Sequence, residues 1–276
     1  APRKFRVARK RAETSPAGFR GMVRRALAYI RAGDIYQVNL ARYFSARFDG
    51  NPWDVYLRLR QRNPAPFAAF ARFGPYAIAS ASPERLLRRN GRRIETRPIA
   101  GTIPRRSPAR DRDATRRLLA DVKERAEHDM MIDLERNDLG RVAVSGTVRI
   151  ARRAFPEYYS SVIHIVSEIR ARLRPGAGWG AIFRAMFPGG TISGCPKRRA
   201  TEIIAELEGA ARGPYTGSLG WLGPSDGDMN ILIRSAFFTG RRVFWAAGAG
   251  IVHDSVPERE VAEVNAKARG ISDALR

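Results

Sequence analysis

The stretch "YQVNLARYFSARF", Tyr36–Phe48, alternates apolar and polar positions along its length, the period of a strand with one face buried. Before it, "AGFRGMVRRALAYIRAGDI" repeats Phe19, Met22, Val23, Ala26, Leu27 and Ile30 at helical spacing until Gly33 stops the segment. After it, "PWDVYLRLRQRN" predicts a helix, "PFAAFARFGPYAIASAS" two strands joined by Gly74-Pro75, and "GRRIETRPIAGT" another strand. One long helix is expected over "DATRRLLADVKERAEHDMMIDLERNDLG", Asp113–Gly140. Strands are expected at 142–150 and 156–167, then a helix at 178–187, a Gly-rich turn and a helix from Pro196 to Glu208. Hairpins at 215–222 and 229–248 and a final helix at 257–275 complete the reading. Runs of strands broken by single helices, without a βαβ rhythm, indicate an α+β fold with mostly antiparallel sheets.

The chain has 276 residues, 44% hydrophobic and 28% charged, enough for one large domain or two small ones. No apolar run approaches the roughly 18 residues of a membrane span. The start, "APRKFRVARKRAETS", is basic and lacks both an apolar core and an initiator Met. It reads as a basic remnant over 1–17 of a processed or excised chain, not as a secretory signal. A single cysteine, Cys195, excludes an internal disulfide and fits a reducing compartment, so a cytoplasmic location is expected. The net charge of +23 and pI of about 11.4 raise the question of a polyanion partner. Yet the basic residues are almost all Arg, in pairs scattered from Arg24-Arg25 to Arg241-Arg242, with no stripe of basic and aromatic residues. Nonspecific nucleic-acid binding at low salt is expected, and a dedicated nucleic-acid surface is not.

Several residues could carry chemistry. "ERAE" sets Glu124 and Glu127 three apart on one helix face, and "EVAE" does the same with Glu260 and Glu263. Like charges at this spacing repel, so each pair needs compensation. Solvated faces with neighbouring arginines are the ordinary reading; a divalent-cation site between two helices is the sharper one. Hard oxygen ligands without a His or Cys cluster would suit Mg²⁺. "FPGGTISGCPK" places Gly189, Gly190 and Thr191 ahead of a helix start, as either a structural turn or an anion-binding loop. His164 lies in a strand-like run, where a core histidine is the default and a catalytic one the alternative. Glu84 in "ASPERL" reads as a helix N-terminal acid or a positioned proton donor. Arg234 and Lys267 are candidate carboxylate clamps, and Cys195 is weakly indicated as a nucleophile.

In one order along the chain, "GDIYQVNLARYF", "NPAPFAAF", "ASPERLLR", "TRPIAGT", "RAEHDMMIDLERNDLGRV", "VIHIVSEIRARL", "FPGGTISGCPK", "GPYTGSLGWLG", "NILIRSAFF", "GAGIVHDSVPEREVAE" and "KARG" resemble the chorismate-utilising enzymes. The resemblance covers roughly 18–275 and is strongest to the ammonia-dependent branch, which holds component I of aminodeoxychorismate and anthranilate synthases. It implies a sandwich of two large antiparallel sheets with helices packed outside, forming a chorismate-binding catalytic domain over 18–276. The family's further N-terminal segment is expected to be largely absent. Residue by residue, it implies Glu127 and Glu263 as direct Mg²⁺ ligands, with Glu124 and Glu260 acting through water. Glu84 would protonate the departing hydroxyl, and His164 would face the ring. Tyr215, Arg234, backbone N–H groups around Gly248 and Gly250, and Lys267 would bind carboxylates. Gly189, Gly190 and Thr191 would close over the substrate.

Gln37 stands where water-using relatives carry a lysine base, which disfavours that branch. Ammonia would come from a glutamine amidotransferase partner. Ala100, in the same loop as Thr102, occupies the position of a lysine nucleophile in many aminodeoxychorismate synthases, whereas anthranilate synthases have alanine there. The surrounding stretches favour aminodeoxychorismate synthase, so 4-amino-4-deoxychorismate is the expected product and anthranilate the alternative. A non-catalytic Arg-rich nucleic-acid-binding protein on the same fold is the reading from another class.

Overall fold

A computed structural model describes residues 4–159 and 162–276; the side chains of Ala100, Thr102, Pro104 and Lys123 lie outside the described ones. The chain divides into two compact units, and it passes between them four times. Unit 1 comprises 1–83, 191–217 and 232–276, and unit 2 comprises 84–190 and 218–231.

Unit 1 opens with strand β1 (Arg6–Ala12), helix α1 (Pro16–Arg31), strand β2 (Gln37–Asp49), helix α2 (Pro52–Arg62), and strands β3 (Phe67–Phe73) and β4 (Tyr76–Ser82). Both helices begin where their sequence says they should. Ser15 caps α1 by accepting the Gly18 N–H at 3.0 Å, and Asn51 caps α2 through the Trp53 N–H at 3.1 Å, each followed by proline. The chain then enters unit 2 with β5 (Arg85–Asn90), β6 (Arg93–Arg97), β7 (Ile99–Pro104), α3 (Pro108–Ala120), α4 (Val122–Gly140), β8 (Arg149–Tyr158), β9 (Val162–Arg172) and α5 (Trp179–Met186). A 3-10 turn at Gly190–Ile192 leads back to unit 1 with β10 (Gly194–Cys195) and α6 (Lys197–Glu208). The hairpin of β11 (Gly220–Leu222) and β12 (Asp226–Asn230) returns to unit 2, and β13 (Ser235–Thr239), β14 (Arg242–Ile251) and α7 (Pro257–Ala274) finish unit 1.

Each unit holds one seven-stranded antiparallel sheet, in agreement with the expected α+β class. In unit 1 the order is β1-β2-β14-β13-β4-β3, with β10 beside β2; in unit 2 it is β11-β12-β5-β6-β9-β7, with β8 beside β9. The alternation in "YQVNLARYFSARF" works as read. Val38, Leu40, Ala46 and Phe48 join the core of unit 1 with Phe19, Val23 and Leu27 of α1 and Val261, Val264 and Ile271 of α7. Unit 2 buries Leu86, Leu87, Ile94, Ile132, Ile163 and Ile169.

Three sequence expectations are corrected. The single helix over Asp113–Gly140 is two helices, because Asp121 is extended (φ −65°, ψ 120°) and its Oδ1 caps α4 by accepting the Glu124 N–H at 3.0 Å. The strand expected at 142–150 begins only at Arg149, after a turn that needs Gly146 at φ +75°. The hairpins expected at 215–222 and 229–248 are instead β11–β12 and β13–β14, separated where Arg234 adopts φ +48°.

Candidate functional site

In unit 1 the candidate residues gather on β2, β14 and the segments beside them. Gln37 opens β2 and is buried, 8% exposed. Across the sheet, Gly250 pairs with Asn39 and Gly248 with Ala41. Both glycines are required by close approach: a Cβ on Gly250 would lie 2.5 Å from Gln37 Nε2, and one on Gly248 would lie 2.4 Å from Asn39 Oδ1 and 3.0 Å from Tyr215 Oη. The pairing of β14 with β13 ends at Ala236–Trp245, so the glycine end of β14 has β2 along one edge and no β13 partner along the other. Lys267 Nζ donates to the Gly248 carbonyl at 3.2 Å and pairs with Glu263 at 2.7 Å, tying α7 to this end of β14. Glu260 is buried and Glu263 exposed. Arg234 sits at the left-handed turn entering β13, its carbonyl accepting the Ala81 N–H at 3.1 Å.

Behind these residues stands an ion pair that the sequence reading missed. The Glu208 carboxylate is fully buried and accepts from Tyr43 Oη (2.6 Å), the Ala41 N–H (3.0 Å) and two guanidinium nitrogens of Arg212 (2.6 and 3.0 Å). Arg212 also donates to the carbonyls of Ile192 (2.7 Å) and Asn39 (2.6 Å). One guanidinium therefore joins α6, β2 and Ile192, the last residue of the Gly190–Ile192 turn. Burial raises the phenol of Tyr215 above its ordinary value, so its hydroxyl keeps its proton as a donor. The i,i+4 spacing of Glu208 and Arg212 was a legible signal.

In unit 2, Glu84 is buried, and its carbonyl accepts the Ile231 N–H at 3.0 Å. Its neighbour Arg85 makes a bidentate fork on Asp228 (2.9 Å twice) and a third bond to Glu95 (2.8 Å), which fixes the backbone at Glu84. His164 is buried on β9, opposite Thr102 of β7, with the Tyr159 ring edge-on at 5.5 Å. Ala100 pairs by backbone with Ile165; the side-chain roles expected of Ala100 and Thr102 lie outside the described residues.

The carboxylate helix α4 is held close to this sheet. Gly101, at φ +61° in a bulge of β7, has no side chain to push away Glu124, whose Oε2 lies 3.2 Å from where a Cβ would stand. His128 Nε2 meets Ser167 Oγ of β9 at 2.6 Å, and the same oxygen accepts the Ala154 N–H at 2.9 Å. Burial holds the His128 imidazole below its ordinary pKa. A cleft of about 180 Å³ is lined by Gly101, Leu118, Glu124, His128, Arg153 and Ile165. Gly190 rests on α4 as well, its N–H donating to Glu135 at 3.3 Å.

The candidate metal ligands fall as two pairs, Glu124 and Glu127 on α4 of unit 2, and Glu260 and Glu263 on α7 of unit 1. Among the described residues no group of three or more His, Cys, Asp or Glu stands ready to hold a metal. The donor chemistry of either pair, all carboxylate oxygen, fits Mg²⁺, which takes one or two carboxylates and keeps waters.

The family model of the chorismate binding enzymes matches residues 1–273. The chain is 46% identical over 266 residues to anthranilate synthase component 1 of Aeropyrum pernix, covering 95% of this chain and 61% of that protein. It is 45% identical over 260 residues to aminodeoxychorismate synthase component 1 of Bacillus subtilis, covering 94% and 55%. Among solved structures, anthranilate synthase component I of Streptococcus pneumoniae superposes with a TM-score of 0.89 at 38% identity over 96% of this chain and 59% of that one. The menaquinone-specific isochorismate synthase of Escherichia coli superposes with a TM-score of 0.88 at 25% identity over 99% and 64%. The chain thus spans little more than half the length of the curated relatives it matches. With the family model matching almost end to end, this chain belongs to the chorismate-binding enzymes.

Proposed function

We propose that this chain aminates chorismate with ammonia, in the presence of Mg²⁺, to give 4-amino-4-deoxychorismate. The observation that carries the ammonia branch is Gln37, a buried neutral amide where a water-using enzyme needs a base. Ammonia is nucleophilic without one. In this reading a C4–N bond forms and the C4–O bond breaks, Glu84 gives its proton to the departing hydroxyl, and water leaves. The new ammonium returns one proton to Glu84, so the carboxyl is restored. Arg234, Tyr215, Lys267 and the backbone at Gly248 and Gly250 would bind the carboxylates, with His164 against the ring and Gly189, Gly190 and Thr191 covering it. Mg²⁺, held by Glu127 and Glu263 and through water by Glu124 and Glu260, would neutralise the ring carboxylate. A glutamine amidotransferase would supply the ammonia, as the "component 1" names of the relatives imply a second component.

Amination at C2 with loss of pyruvate, giving anthranilate, is the second reading. Ala100 favours it, as do relatives named anthranilate synthase at 46% identity. Chromatography of the products from chorismate, Mg²⁺ and an ammonium salt separates the two. 4-Amino-4-deoxychorismate supports the proposal, fluorescent anthranilate with pyruvate replaces it by the second reading, and isochorismate rejects the ammonia branch. Glu263→Gln is expected to abolish turnover; full activity would remove the metal assignment.

A further inference from the structure

Asn39 lies two residues after Gln37 on β2, so both side chains leave the same face of the strand. Its Nδ2 donates to the Thr191 carbonyl at 3.4 Å. Only the NH₂ end of an amide can stand against a carbonyl, so Oδ1 takes the other side, over Gly248. That oxygen is buried and has no hydrogen-bond partner, and the same is true of Gln37 Oε1 and Thr191 Oγ1. Buried acceptors in folded proteins are nearly always satisfied. Two amide oxygens left unsatisfied on one strand face, their side chains lying over two glycines that leave them room, therefore ask for a donor from outside the chain.

We propose that Asn39 is a further ligand-contacting and specificity-determining residue, whose Oδ1 accepts a hydrogen bond from an N–H or O–H of a reactant. This rests on the function proposed above and narrows it. A carboxylate has no proton to give, so the partner is either the hydroxyl of the ring substrate or the ammonia nucleophile. Gln37 Oε1, from the same strand face, is a second buried acceptor without a partner, and Thr191, through its carbonyl, holds the Asn39 amide in the orientation that makes Oδ1 available.

The test uses the full protein and the substitution Asn39→Leu, which keeps the size and removes the polar atoms. Chorismate binding is measured by calorimetry with Mg²⁺ and no ammonium salt, and the ammonium KM is measured separately at saturating chorismate. If the donor is the ring hydroxyl, chorismate binding weakens about tenfold. If it is ammonia, chorismate binding holds while the ammonium KM rises by about the same factor. Both quantities staying within about twofold of wild type, with thermal stability retained, overturns the proposal, since water then satisfies Oδ1. Should Asn39→Leu not fold, Asn39→Ala carries the same comparison. Wild-type protein that binds no chorismate rejects the functional reading itself, and this proposal with it.

Discussion

Replacing Glu208 by alanine tests the central ion pair of unit 1. The substitution removes the counter-charge of Arg212, which is only 14% exposed, and leaves the guanidinium with two backbone carbonyls as partners. It also strips the Ala41 N–H and the Tyr43 hydroxyl of their acceptor. Breaking a buried pair from one side costs about 3–5 kcal/mol, because a charge stays buried without compensation. The two neutral bonds would each count for about 1 kcal/mol, but they share one carboxylate and do not simply add. Against a typical stability of about 5–15 kcal/mol, the loss is a large fraction. At about 2–4 °C per kcal/mol for a protein of this size class, Tm should fall by roughly 6–20 °C. Thermal and urea unfolding of Glu208→Ala beside wild type measure it. The double replacement Glu208→Leu with Arg212→Leu should be less destabilised than Glu208→Ala alone, since it removes both charges. A Glu208→Ala protein within about 1 kcal/mol of wild type would refute the argument that this pair is buried and needed.

Three further expectations follow from the same kind of reading. Burial and the Glu208 charge raise the Tyr43 phenol above its ordinary value, and burial raises Tyr215; their contribution to stability is therefore full below about pH 10 and lost as pH rises beyond it. Phenolate absorbance should show both silent until alkaline unfolding, and Tyr43→Phe should unfold at higher pH than wild type. Arg85→Met takes the guanidinium from Asp228 and leaves Glu95 with Arg170 alone, and should cost about 3 kcal/mol, read as faster amide exchange in β5, β6 and β12. Gly194→Ala and Gly250→Ala should behave differently. At Gly194 a Cβ meets the Gln37 carbonyl at 2.2 Å with φ at +141°, so the fold suffers; at Gly250 it meets only the end of the Gln37 side chain at 2.5 Å, so Tm holds while amination falls.

What could be read in advance had local causes. The alternation of β2 and the helical spacing of α1 each lie within a few residues, and each was realised. The break at Asp121 was also local, an Asp three residues before Glu124 in a capping arrangement, but continuous helix-forming residues on both sides masked it. The hairpin shift had no such signal: "NILIRS" is a short apolar run that reads as strand, and nothing local marks the left-handed backbone at Arg234. The site shows the same division. Glu84, Gln37 and His164 were singled out from the resemblance their flanking residues carry, and all three lie buried in the structure, a placement that leaves their roles to the proposal above. The bond from His128 to Ser167 and the fork of Arg85 on Asp228 join residues 39 and 143 positions apart, a relation visible only once the sheet has formed.

The division of the chain has a consequence for how it is made. β2 lies between β1 and β14, yet about two hundred residues separate it from β14, and unit 2 is threaded through that interval. A ribosome that has released β2, β3 and β4 has delivered half a sheet with open edges, the kind of surface that recruits other chains. Closure waits for β13, β14 and α7, which emerge after unit 2. Such long-range pairing is slow and exposed to aggregation while it waits. The part of unit 2 from β5 to α5 is continuous over 84–190 and completes most of its pairings much earlier. A stalled or clipped product ending before residue 232 would carry a nearly finished second unit beside a first one that has nothing to close on.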